Sequence, residues 1–193
     1  MLQVEARSSD PLQRRIGWLC QLVRWGAVAY GTWVLLAIAF YWSDAGRVAR
    51  HWSGWLHVDV SPPGPAQLAG GLAVHLALWL AVHLALWLAV AAACFAVWRL
   101  FTLYSEGHIF AADASLWLRR IGVYGLIAQF GDMLARPLVS MIVTAHMPTG
   151  GRIVSVFANP PDLLNVLFLA GFVALAHVFR AAVDIADENA QIV

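Results

Sequence analysis

Residues 66–98 read AQLAGGLAVHLALWLAVHLALWLAVAAACFAVW, thirty-three consecutive positions without a formal charge. As a helix, residues 68–98 alone would be about 46 Å long, against a hydrocarbon core of ~30 Å. So long an uncharged run cannot cover a water-facing surface; it reads as a membrane-spanning helix, whose backbone satisfies its own hydrogen bonds. The run contains a tandem octad, because AVHLALWL at 73–80 returns unchanged at 81–88. With one copy removed, the helix falls to about 35 Å, an ordinary span with modest tilt. An ordinary helix has therefore been lengthened by internal duplication. Arg99 pins the far end, so the surplus is expected on the other side, with residues 66–75 at or above the outer interface. The helix should then project roughly two turns (~11 Å) past its neighbours and pack against the Trp52–Trp55 segment.

Upstream, residues 25–42 carry no charge over about 27 Å of helix, and Arg24 is placed to snorkel toward the interface. Ala37-Ile38-Ala39 has the small-residue form of a signal-peptide cleavage site. Phe40-Tyr41-Trp42 nevertheless extend the apolar run without a polar break, so the segment is read as a retained span. In the first loop, 43–65, Val48, Trp52, Trp55 and Leu56 recur at helical spacing while Arg47, Arg50 and His51 fall elsewhere on the wheel. That pattern suits a short helix lying in the interface, with Trp at headgroup depth. Downstream, residues 99–120 form a polar connection. A third span follows, interrupted by Gln129, Asp132 and Arg136, with Pro137 expected to kink it. A short loop, 145–161, leads to a fourth span, and the tail at 181–193 alternates apolar and acidic positions.

The expected fold is all-α: one polytopic membrane domain over 1–193, a four-helix bundle with short interfacial helices. The spans are approximately 17–42, 67–98, 120–145 and 162–180. Orientation follows from arginine placement, because loops rich in basic residues stay cytoplasmic. Arg7, Arg14, Arg15, Arg24, Arg99, Arg119, Arg120 and Arg180 share one side, against Arg47, Arg50 and Arg152 on the other. Both termini are expected in the bacterial cytoplasm, with the protein in the inner (cytoplasmic) membrane.

With 61% apolar and 12% charged residues, the expected surroundings are membrane lipid. A net charge of +1 without a basic stripe excludes direct nucleic-acid binding. Cys20 and Cys94 have no metal-type spacing and read as packing residues. His51 and His57 lack a third ligand nearby. No nucleophile–base pair is visible, so no catalytic residue, metal or cofactor is expected and an enzyme is not.

Asp132 and Arg136 stand four apart and share a helix face, about 18 and 24 Å beyond Arg120. Ionisable groups inside a span are costly and point to function by default, although an internally neutralised structural pair is the alternative. His83, about 24 Å from Arg99, should lie level with them, and Gln129 joins the same intramembrane polar cluster. His75, Trp79, His83 and Trp87 form one stripe, similar in spacing to the His and Trp of a viral proton channel. Histidine titrates near physiological pH, so the stripe reads either as a pH sensor or as packing. At the cytoplasmic surface, Glu106, Arg119, Arg120, Arg180, Asp184, Asp187 and Glu188 form a candidate docking surface; for the arginines, enforcing topology is the competing role.

The middle connection reads Leu100-Phe101-Thr102-Leu103-Tyr104-Ser105-Glu106-Gly107-His108-Ile109-Phe110, followed by Leu118-Arg119-Arg120-Ile121-Gly122. The end reads Leu175-Ala176-His177-Val178-Phe179-Arg180, then Asp187-Glu188-Asn189. In this order and at these distances, the two blocks resemble a family of small bacterial four-helix membrane proteins catalogued as a domain of unknown function, numbered two-nine-seven-five. The chain departs from the family pattern at His177, where an acid is frequent, and at Ala181-Ala182, where a Gly is. The resemblance implies an inner-membrane protein encoded beside a helix-turn-helix DNA-binding regulator. A regulatory or sensory role, holding or signalling to that cytoplasmic partner, is the leading expectation. The alternative is a small channel or transporter using the intramembrane Asp/Arg/His cluster, and self-association into a homo-oligomer is compatible with either.

Overall fold

The computed structural model describes residues 11–56, 73–108, 111–144, 154 and 159–191. Five helices account for them: α1 Pro11–Trp42, α2 Ala45–Leu56, α3 Ala73–Ser105, α4 Ala112–Thr144 and α5 Pro160–Gln191. No strand occurs among the described residues. Within α1, α3 and α5, Gly17–Tyr41, Leu80–Ser105 and Pro160–Ala186 are long and apolar enough to cross a membrane. Large side chains such as Trp18, Trp33, Leu36, Leu167 and Val178 point outward, a surface that lipid suits and water does not. The chain is a multi-pass membrane protein. In α4 the length is the same, but Arg119, Arg120, Asp132 and Arg136 interrupt the apolar character.

The long helices stand in a row in chain order. Helix α1 packs on α3, α3 on α4 and α4 on α5, while α1 makes no contact with α5 among the described residues. The expected four-helix bundle is therefore corrected to an open array, its two edge helices unpaired. The middle of the row is close-packed because small residues remove side chains from the crossings. A Cβ on Gly122 would stand 2.6 Å from Val173 Cγ2 and 2.8 Å from the Leu169 carbonyl oxygen. Gly131 meets Leu86 in the same way from the α3 side. Between α1 and α3, the Trp87 indole N–H donates to the Gly31 carbonyl at 3.0 Å, and Trp25 meets Trp98 edge-on at 5.5 Å.

These contacts fix the registers, all antiparallel. Gly131 opposite Leu86 brings Thr144 level with Ala73, so α3 and α4 end together. Trp25 opposite Trp98 ends α1 near residue 82 of α3. The first octad copy thus lies past the end of α1, by about 13 Å. Arg136 against Asp162 ends α5 some 9 Å short of Thr144. The duplicated helix does overshoot α1 and α5, but the expectation that it projects alone is corrected, since α4 accompanies it. There Val139, Ser140 and Thr144 are fully buried. The expected packing of this projection on the Trp52–Trp55 segment is also corrected. Helix α2 rests on α1 and α4 and not on α3 among the described residues. Residues 66–72 and His57 lie outside the described residues, as do the side chains of His75, Trp52 and Trp55.

The first-loop helix forms where its periodicity placed it, capped by Asp44, whose carboxylate accepts from the Gly46 N–H at 2.9 Å. Its Arg47 turns back over the Phe40 ring and donates to the Phe40 carbonyl at 2.9 Å. His51 lies against Tyr41, ring centroids 4.9 Å apart.

The polar connection at 99–120 is corrected most. Helix α3 continues to Ser105 and α4 starts at Ala112, so six residues separate them. The charges did not end the helices because they sit on outward faces. Leu100, Ala114, Leu118 and Ala176 instead form a buried core, with Phe101, Tyr104, Trp117, Ile121 and Phe179 around it. The stop is Gly107, at φ 87°, a left-handed conformation that glycine adopts without a Cβ penalty. His108 N–H returns to Leu103 O at 2.9 Å and Gly107 N–H to Tyr104 O at 3.2 Å, the paired bonds of a Schellman cap. Two of the motif residues behind the family resemblance thus have structural duties: Gly107 turns the chain and Gly122 admits α5.

Candidate functional site: a groove with a charged head

Opposite the core, the row of helices encloses a groove of about 990 Å³ that draws walls from α1, α3, α4 and α5. It runs along α1 from Leu22 to Ile38, about 24 Å, and along α3 from Val97 to His83. Its mouth lies between α1 and α5, the two helices that do not meet. Most of the lining is aliphatic or aromatic, including Val34, Leu86, Val90 and Phe168. The polar groups gather at one end.

That end is organised by Arg136, which donates to two carboxylates. Its Nη1 reaches Asp162 Oδ2 at 2.5 Å and its Nη2 reaches Asp162 Oδ1 at 2.8 Å, a bidentate pair between α4 and α5. Nε and Nη2 also reach Asp132 Oδ2, at 3.0 and 2.7 Å, one turn back on α4. Gln129 extends the network by donating to Asp162 Oδ1 at 3.1 Å and accepting from Asn165 at 3.2 Å. Asp162 is held from its own helix as well. It occupies the first turn of α5, where the Asn159 N–H donates to Asp162 Oδ2 at 2.9 Å and the Asp162 N–H to the Asn159 carbonyl, also at 2.9 Å. This reciprocal pairing is a helix N-terminal capping arrangement, and an acid there also complements the helix dipole.

Exposure separates the three charged groups. The side chains of Arg136 and Asp162 are 15% and 8% exposed, whereas that of Asp132 is 52% exposed. The pair is buried, and the surplus carboxylate faces outward at the groove.

All four residues of the expected cluster, Asp132, Arg136, His83 and Gln129, line this one groove. Sequence reading missed Asp162 and Asn165. The spacing Asn159-Pro160-Pro161-Asp162 does signal a helix start, but nothing local signals that its acid meets an arginine on another helix. The Asp132–Arg136 pair is present, with Arg136 shared rather than snorkelling away. Because Asp162 opens α5, the cluster lies at the start of that helix.

At the opposite end, the expected docking residues are dispersed along helix ends. Arg119 and Arg120 are exposed on α4, and Arg120 lies over the Trp117 ring at 4.3 Å, which Arg99 also approaches at 5.6 Å. Arg180 pairs with Asp184 on its own helix at 3.1 Å, and Glu106 with His108 at 3.9 Å. Glu188 is exposed; the side chain of Asp187 lies outside the described residues. The Arg24 guanidinium lies 4.2 Å from the Trp98 ring. Cys20 and Cys94 are free thiols, Cys20 buried and Cys94 against Gly31.

The family described as protein of unknown function (DUF2975) matches residues 7–193. The chain belongs to this family. No match is found among curated proteins or solved structures. Membership thus fixes kinship across nearly the whole chain and leaves the activity to be argued from the groove.

Proposed function

We propose that this family member is a sensor of the bacterial inner membrane, with four spans and both termini cytoplasmic. In this reading the groove takes a ligand from the bilayer through the α1–α5 mouth. Its occupancy is reported at the arginine-rich end to a cytoplasmic helix-turn-helix regulator. The observation that carries it is the groove itself, to which every long helix contributes a wall and whose head joins α4 to α5. Helix α5 runs unbroken from Asp162 in that head to Arg180 and Asp184 at the other end. A shift of the head therefore moves the far end of the same rigid element. For α4 to span, its charges must lie at the two surfaces. Arg120 and Arg136 are about 24 Å apart, and Asp162 and Arg180 about 27 Å, both close to the apolar thickness. Helix α2, amphipathic and seated on α1 and α4, would then lie at the outer interface.

The test is co-purification with the regulator encoded nearby. Arg119→Glu with Arg120→Glu should abolish it while the chain still inserts and keeps its topology. Unchanged capture at correct topology would remove the docking surface. A small channel or transporter is the second reading, favoured by a groove that runs along most of the span. Flux of a charged solute into vesicles carrying the purified protein, lost in Asp132→Asn, would select it.

A further inference from the structure

We infer that the groove selects a single-chain amphiphile with a cationic head, the head held at Asp132 and the tail lying along α1 and α3. This rests on the reading of the groove as a ligand site and names the class of ligand. Charge is the first argument. Among the described residues, the charged side chains lining the groove are Asp132, Arg136 and Asp162, which sum to one negative charge. Arg136 is committed bidentately to Asp162, and both are buried, so the accessible member is the half-exposed Asp132. Only one oxygen of Asp132, Oδ2, receives the bonds from Arg136. Trp87 and His83 line the groove on the facing helix. An anionic head would meet the exposed carboxylate, and like charges repel strongly where water is scarce.

Shape is the second argument. About 990 Å³ spread along about 24 Å makes the groove long and narrow. An extended hydrocarbon chain follows such a shape, and the aliphatic walls suit it. The polar head sits where α5 begins, at the end of the span, so an amphiphile would keep its charge near the surface and its tail within the apolar layer.

The experiment uses the full chain in bilayer nanodiscs of zwitterionic lipid. A photoreactive long-chain alkyltrimethylammonium is compared with the alkyl sulfate of equal length, and labelled peptides are located by mass spectrometry. The cation should label the α1 and α3 walls around Val34 and Val90, and the anion should not. Asp132→Asn should cut labelling by roughly tenfold, an effect of the size expected for one partly desolvated charge contact. Val34→Trp, which fills the groove and leaves the charges alone, should block labelling as well. This keeps the test decisive if Asp132→Asn folds poorly. Equal labelling by the anion, or full labelling of a folded Asp132→Asn, overturns the cationic selection while the groove remains a ligand site. Labelling of these walls by neither probe overturns both.

Discussion

Arg136 bonds two acids at once, and the difference between those acids decides what each substitution does. Sequence alone suggests that Asp132→Asn rescues Arg136→Gln by removing the stranded partner. With Asp162 as the buried partner, that double change still leaves an uncompensated carboxylate between α4 and α5. The rescuing change is expected to be Asp162→Asn. Arg136→Gln alone should destabilise by on the order of 3 kcal/mol, the range for breaking a buried pair from one side. Arg136→Gln with Asp162→Asn should recover most of that, and Arg136→Gln with Asp132→Asn should not. Thermal melts of the purified protein in detergent separate these outcomes, and equal behaviour of the two doubles would dissolve the distinction between the acids. The glycines give a parallel contrast. At Gly122 an added Cβ meets the Leu169 backbone carbonyl, which cannot move without moving α5. At Gly131 the obstacle is the terminal Cδ2 of Leu86, which can rotate away. Gly122→Ala is therefore expected to cost about 1–3 kcal/mol, the usual range for overpacking, and Gly131→Ala much less.

At the scale of elements, the octad tests whether helix length matters in its own right. The first copy overlies the end of α4, where Ser140 and Thr144 are buried and donate to their own helix carbonyls. Deleting 73–80 shortens α3 to the level of α1. Because eight residues are close to a whole number of turns, everything beyond rotates by only about 80°. The groove and its His83 should survive, since the second copy supplies them. The end of α4 should become exposed, so a cysteine at Thr144 should react with an impermeant thiol reagent only after the deletion. Protection in both forms would mean that something other than the first octad covers it. This element also shows what sequence made legible. Spans announce themselves through uncharged runs, and 66–98 could not be read otherwise. Helix ends were misread wherever charge was taken as a boundary. Arg99 and Arg120 point outward from helices whose opposite faces, Leu100 and Leu118, are core. The real boundary was Gly107, a conformational signal. The site was half legible for a related reason. Asp132 and Arg136 share a helix, so their spacing reveals them, whereas Asp162 reaches Arg136 only through the register of two packed helices.

For the whole molecule, the open question is parity. Three helices are long and apolar enough to cross a membrane, and α4 does not qualify by composition. If only those three crossed, the two termini would lie on opposite sides of the membrane; if α4 crosses too, they share one. The packing argues for four. Helix α4 lies between α3 and α5 and packs on both, as the proposed fourth span requires. Its charges are also segregated: Arg119 and Arg120 stand at the end shared with Arg99 and Arg180, Asp132 and Arg136 at the end shared with Asp162. The intervening residues, 121–131, carry no charge and include Gly122 and Gly125, through which α5 approaches, and Gly131, through which α3 does. Fewer apolar residues suffice for a helix walled by neighbours than for one facing lipid, so the composition of α4 is compatible with the proposed fourth span. Reporter fusions at Val193 and within 145–161 should therefore read opposite sides, and a fusion before residue 11 should agree with Val193. In the proposed reading that shared side is the cytoplasm, as the arginine count suggests. Should the two terminal fusions disagree, α4 does not cross, and the groove's charged head would have to be placed anew relative to the bilayer.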